Sequence, residues 1–144
     1  VDGNLPPPQH RIISVFLDEL ALIEPSATFL PTTNHERLQK VVELIMEDIA
    51  SKNTIDYYAE LSFMSSRTLS RLFIKELGMN FSEWRTRLKL LEAIKRLSEK
   101  QSIKEIAFIL GYENTSAFIY MFKKHLGKTP SNYILEDEND KLSG

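Results

Sequence analysis

Two stretches of the chain carry the side chains best suited to engaging another molecule: SRTLSRLFIK, from Ser66 to Lys75, and TSAFIYMFKK, from Thr115 to Lys124. In the first, Ser66, Arg67, Thr68, Ser70, Arg71 and Lys75 lie off the apolar stripe Leu69–Leu72–Phe73. In the second, Thr115, Ser116, Ala117, Tyr120, Lys123 and Lys124 lie off the stripe of Phe118, Met121 and Phe122, with Asn114 just before and Lys128 just after. The chemistry open to such groups is reversible recognition of a hydrogen-bonding, anionic surface. Arginine forks two hydrogen bonds onto guanine O6 and N7, serine and threonine adapt to several base edges, an alanine methyl meets a thymine methyl, and lysine holds phosphate as a mobile charge. Arg67 or Arg71 is the expected base reader of the first stretch, with a phosphate contact or a structural role as the other reading. Lys123, Lys124 and Lys128 are read either as phosphate contacts or as solvated charges.

Covalent chemistry finds no candidates. The chain has no cysteine, so no thiol nucleophile, disulfide framework or cysteine-bound zinc. His10, His35 and His125 have no metal-ligand spacing and no carboxylate at a ligand interval. Glu43, Glu47 and Asp48 share a polar helix face, which solvation explains better than acid–base work, because that work needs a pocket to shift a pKa. There is no glycine-rich phosphate loop and no nucleophile elbow. No enzyme activity, metal or cofactor is expected. The aromatic stripe of Phe73, Phe118 and Phe122 could mimic a base-stacking platform, but its helical spacing assigns it to a core.

The two stretches are copies of one device. An offset of 49 superposes Leu69 on Phe118, Phe73 on Phe122, Lys75 on Lys124, Gly78 on Gly127 and Trp84 on Tyr133. A repeat that keeps apolar spacing, a cation, a glycine stop and a trailing aromatic is a duplicated supersecondary unit.

The elements that must position these residues read as helices throughout. Residues 1–10, with three consecutive prolines, form a linker, and Arg11–Glu24 carries a broad apolar stripe of Ile12, Phe16, Leu20 and Ile23, suited to packing on the domain after it or on a missing one. A second linker runs to Asn34, the expected cap of a helix over His35–Lys52 with Leu38, Val41, Val42, Leu44, Ile45 and Ile49 inward. Thr54 caps the next helix, with Ile55, Tyr58, Ala59 and Leu61 inward. After a short turn, Ser65 or Ser66 caps a helix ending at Gly78, so residues 54–78 form a helix-turn-helix. A connecting helix over 81–99 presents Trp84, Leu88, Leu91, Ile94 and Leu97 on one side and Arg85, Arg87, Lys89, Lys95 and Arg96 mostly on the other. Its roughly 28 Å suits holding two reading helices near the ~34 Å between successive major-groove faces. Ser102 and Glu105 make a capping box opening a second helix-turn-helix over 102–127, with Ile103, Ile106, Ala107 and Leu110 buried. A short helix passes through Tyr133 and Ile134, and the acidic tail 135–144 is expected to fray. The fold class is all-α.

Charge adds little by itself. The net charge is −2, yet His35–Tyr133 carries 16 Lys+Arg against 12 Asp+Glu between acidic ends, an imbalance that a solvated face also explains. No apolar run reaches the ~18 residues of a membrane span, and no signal peptide precedes the first helix. A cytoplasmic protein without membrane partners is expected. Starting at Val1 in a proline-rich segment, the chain reads as a fragment of a longer protein.

Here the residues resemble a family. LSRLFIKELG and EIAFILGYENTSAFIYMFKKHLGKTPSNY look like the DNA-binding domain of AraC/XylS-type transcriptional regulators, over about residues 35–134. The second half carries the more specific motifs: the G-[FY] turn, F-x-x-x-F-K-K and G-x-T-P. The Arg11–Leu20 helix and the connector are similar to the subgroup with an N-terminal cupin-like sensor, which is absent from this chain. The resemblance implies two homeodomain-like units, double-stranded DNA as partner, RNA polymerase as a second, and activation or repression of transcription. This chain departs from the family at Phe63, where most members have glycine, and at Tyr120, where many have arginine. The rival reading is a helical protein-interaction module that has lost DNA binding.

Overall fold

The computed structural model describes residues 30–143, and among them are seven helices and no strand. The expected linker 1–10 and helix Arg11–Glu24 lie outside the described residues. None of the described helices is long and apolar enough to cross a membrane.

Helix α1, Glu36–Glu47, is capped by His35, whose Nδ1 accepts the Leu38 N–H at 3.3 Å. The expected cap, Asn34, is thus one residue early. Thr33 Oγ1 accepts the His35 N–H at 3.0 Å, so hydrogen bonds hold the chain on both sides of the cap. The helix also stops at Glu47, short of Lys52, because Asp48 leaves helical geometry (φ −137°) to begin the turn towards α2. Leu38, Val41 and Ile45 are fully buried, whereas Leu44, expected inward, is 37% exposed.

Helix α2, Ile55–Leu61, starts on Thr54, and α3, Ser66–Leu72, on Ser65, whose Oγ accepts the Thr68 N–H at 3.1 Å. Leu61 ends α2 half exposed, another departure from the expected stripe. Beyond Leu72 the winding widens into a π-helical turn, Phe73–Leu77, and closes on Gly78 at φ +76°. Between α2 and α3, Phe63 keeps a left-handed φ of +56° and is 92% exposed, so burial does not offset a strain of about 1–2 kcal/mol. What holds the turn is Arg37 of α1, whose Nη2 donates to the carbonyls of Ser62 and Phe63, each at 2.7 Å.

Helix α4, Phe81–Ser98, opens on Asn80 and joins two cores. Its first half gives Phe81, Trp84 and Leu88 to the core of α1–α3, and its second half gives Leu90, Ala93, Ile94 and Leu97 to the core beyond. The single stripe expected from sequence leaves out Leu90 and Ala93, both fully buried, because a helix wedged between two clusters needs two apolar faces. Trp84 also donates its Nε1–H to the Pro31 carbonyl at 3.2 Å, pinning the entering chain to the first core.

Helix α5, Ile103–Ile109, carries the expected capping box of Ser102 and Glu105. Gly111 turns at φ +87°, and α6, Thr115–Leu126, starts on Asn114 and closes on Gly127 at φ +79°. Helix α7, Pro130–Ser143, runs through the segment expected to fray. Lys128 Nζ–Glu136 Oε1 (2.8 Å) and Lys100 Nζ–Glu138 Oε2 (2.6 Å) tie it back, the second an exposed pair that solvent screens.

The repeat holds in three dimensions. Phe73 packs on Trp84 with ring centroids 6.1 Å apart, and Phe122 on Tyr133 at 5.6 Å. The offset is 48 rather than 49 in the first helix of each unit, where Thr54 and Ser102 are the caps, because the second turn is one residue longer.

Candidate nucleic-acid interface

Helices α3 and α6 each spend one face on a core, Leu69, Phe73 and Leu77 in one unit and Phe118, Phe122 and Leu126 in the other. Helical periodicity then turns the intervening residues outward. Arg67, Thr68, Arg71 and Lys75 are exposed on α3 and its extension, and Ser116, Ala117, Tyr120, Lys123 and Lys124 on α6. The offset of 49 aligns Arg67 with Ser116, Thr68 with Ala117, Arg71 with Tyr120 and Lys75 with Lys124, so the two outer faces match position by position.

Not every candidate is equally available. Ser66, Ser70, Thr115 and Lys128 are half-buried. The Ser66 hydroxyl donates to the Asp56 carboxylate and ties the start of α3 to α2. Asn114 uses its Oδ1 to cap α6, accepting the Ala117 N–H at 2.8 Å. Lys128 is held by Glu136 and lies 5.5 Å over the Tyr133 ring, which makes it a clasp for α7. These three have work inside the fold, and the two outer stripes carry the rest.

The last turn of α6 concentrates Lys123, Lys124 and His125, a placement the helix dipole favours. Partial burial holds the His125 imidazolium pKa below its usual range, helped by the charges of Lys124 and Arg87 and opposed by Glu83. Helix α6 therefore ends beside the first half of α4. Two features are not among the site residues expected from the sequence. Ile74, aligned with Lys123, is 59% exposed on the outer side, and Arg85 and Lys89, one turn apart on α4, turn towards the junction between the units. Their spacing of four was the available signal, hidden among the other charges of that helix.

With this geometry in view, the family model described as a helix-turn-helix domain matches residues 58–135, more than half of the chain. The HTH-type transcriptional regulator NimR of Escherichia coli is 37% identical over 128 residues, 89% of this chain and 47% of that protein. The chain thus spans about half the length of this curated relative, and 31% of another, the regulator RipA of Corynebacterium glutamicum. Among solved structures, the DNA-binding domain of AdpA, a global transcriptional factor in complex with a target DNA, superposes with a TM-score of 0.67 at 25% identity, covering 75% of this chain and 98% of that one. A Chromobacterium violaceum regulator with an AraC-type DNA-binding domain gives 0.64 at 26% identity, over 70% and 91%. Two helix-turn-helix units on one connecting helix, with this match, show that the chain belongs to the AraC-type helix-turn-helix family of transcriptional regulators.

Proposed function

We propose that the chain is the sequence-specific DNA-binding part of a transcription regulator, and that α3 and α6 read two successive major-groove segments on one face of the duplex. The observation that carries this reading is the pair of outer faces exposed at the same helical steps, each backed by a core and each carrying hydrogen-bonding and cationic groups, with a lysine at the same step in both (Lys75 and Lys124). Helix α4, about 27 Å long, is suited to spacing the reading helices near one ~34 Å turn of DNA. Arg67 and Arg71, with Thr68 and Ser70 beside them, read base edges in the first segment. Ser116, Ala117 and Tyr120, flanked by Thr115, read the second, while Lys75, Lys123 and Lys124 hold phosphates. The work is binding without covalent chemistry. One chain carries both readers, so it suits an asymmetric site, and contact with RNA polymerase converts occupancy into activation or repression. A sensor domain outside this chain governs that output.

A salt titration of binding to duplex DNA tests the class of function. Neutralisation of several phosphates gives a steep fall of affinity with salt, whereas a module that binds only protein gives no duplex binding to titrate.

A further inference from the structure

Between the two units lies a group of cations that the outer faces of α3 and α6 leave unassigned. Lys89 of α4 is half-buried, with its Nζ 5.1 Å over the Tyr112 ring. One turn earlier, Arg85 lies 4.5 Å over the Phe81 ring and donates to the Asn53 carbonyl at 2.6 Å. Lys52, next to Asn53, reaches Glu113 at 3.8 Å with both side chains largely exposed. Cations from the α1–α2 turn and from α4 thus converge where the second turn, Gly111–Asn114, delivers the chain into α6. Every resolved influence on Lys89 pushes its pKa down: burial first, then the charges of Arg85 and Lys52.

Crowding like charges around a half-buried ammonium destabilises its charged form, and a phosphate seated among the three would remove that repulsion and accept charge-assisted hydrogen bonds. The location narrows the source of the phosphate. The cluster sits beside Asn53 and Glu113, next to the caps of α2 and α6, Thr54 and Asn114. A reading helix enters the major groove by its N-terminal end while the helix before it meets the backbone, so this junction faces the sugar–phosphate strand running between the two grooves. We propose that Lys52, Arg85 and Lys89 form a seat for the DNA phosphates between the two major-groove segments. The assignment rests on the DNA reading proposed above for α3 and α6. Helix α4 then does more than space the units, since it anchors the middle of the site and so fixes the register of both readers at once.

The test compares wild type with Lys89→Met, which keeps an apolar stem against Tyr112, with Lys89→Arg and with Lys52→Gln, on a selected duplex and on a random one. Losing one phosphate contact should lower the salt slope by about one and the affinity about five-fold at about 0.15 M salt. The expected result is that loss on both duplexes for Lys89→Met and Lys52→Gln, recovery in Lys89→Arg, and an unchanged melting temperature. Ethylation of the phosphates between the half-sites should weaken the wild type more than Lys89→Met, which retains only Lys52 and Arg85 in the seat. If the wild type binds but Lys89→Met keeps its slope and its ethylation pattern, the seat is wrong while the reading by α3 and α6 stands. A melting temperature that falls in Lys89→Met, with no recovery of binding in Lys89→Arg, makes Lys89 a packing residue and overturns the proposal. Inorganic phosphate that stabilises the wild type but not Lys89→Met, with duplex binding alike in both, assigns the seat to a free anion and overturns it too. A wild type that binds no duplex removes the seat and the DNA reading together.

Discussion

Arg71 and Tyr120 stand at the same step of their helices, each six residues beyond its N-cap, Ser65 in one unit and Asn114 in the other, and both are exposed. Their surroundings match, with Leu69 and Phe73 behind Arg71, and Phe118 and Phe122 behind Tyr120. Their chemistry differs. Arginine makes two hydrogen bonds in a fixed fork, whereas tyrosine offers one hydroxyl and a ring that lies against sugar or a thymine methyl. On the DNA reading proposed above, the duplicated scaffold would present an exacting reader in the first unit and a tolerant one in the second.

Arg71→Ala is expected to cost about 1–3 kcal/mol on the preferred site and to relax the preference at one or two base pairs. Lys124→Ala should weaken all duplexes alike and lower the salt slope by about one. Both are checked by titration against specific and random DNA. Equal losses for the two variants on both duplexes would erase the division between reading and anchoring residues.

The glycines of the two units should respond unequally to alanine. At Gly78, φ is +76° with open space for a Cβ, so Gly78→Ala carries the conformational strain alone, about 1–2 kcal/mol. At Gly111, φ is +87° and a Cβ would stand 2.5 Å from the Ala50 carbonyl oxygen, a backbone atom with little freedom to withdraw. Gly111→Ala should therefore be the more destabilising in urea unfolding, and a smaller loss there than at Gly78 would show that the α1–α2 turn moves aside easily.

Phe63 is the converse case. Its left-handed backbone is strained and its ring is 92% exposed, so Phe63→Gly relieves about 1–2 kcal/mol of strain against roughly 0.5–1 kcal/mol of added chain entropy. A small net gain in stability, between zero and about 1.5 kcal/mol, is the expected thermal-unfolding result. A clear loss would mean that the ring is buried in the working protein.

For His125 the sign follows from a folded-state pKa lowered by burial, Lys124 and Arg87. The unfolded chain then binds the proton more readily, so the stability linked to this group is fully present above the ordinary value of about 6.5 and is lost as pH falls through the lower folded value. An NMR titration of the ring should give a midpoint below 6.5 in wild type and a higher one in Lys124→Gln. A midpoint that Lys124→Gln does not raise would show that the Lys124 charge does not act on the ring.

The features legible in the sequence were those that local chemistry controls. Thr54, Ser102 with Glu105, Gly78 and Gly127 mark helix ends because their side chains, or the lack of one, act within a turn of themselves. The outward placement of Arg71 and Lys75 follows from the periodicity of Leu69 and Phe73. Features set by tertiary neighbours were not legible. Leu90 and Ala93 are buried only because α4 meets a second core, Arg37 reaches the Phe63 turn from another helix, and α7 persists past Ile134 where Lys100 and Lys128 meet its carboxylates. The cap at His35 was missed because histidine is an uncommon N-cap, whereas Asn34 is a common type standing one residue away.

On the proposed function, two helices of one chain read two adjacent segments of DNA, the first more strictly. The most direct measurement takes a site selected from a random duplex pool and compares wild type and Tyr120→Arg on versions scrambled separately in each half. For the wild type, scrambling either half should reduce affinity, with the greater loss in the half bound by α3. Tyr120→Arg should bind all duplexes more tightly through its added charge and acquire a guanine preference in the other half. Specificity confined to one half would rule out reading by both helices, and a greater wild-type loss in the half bound by α6 would rule out the leading role of α3.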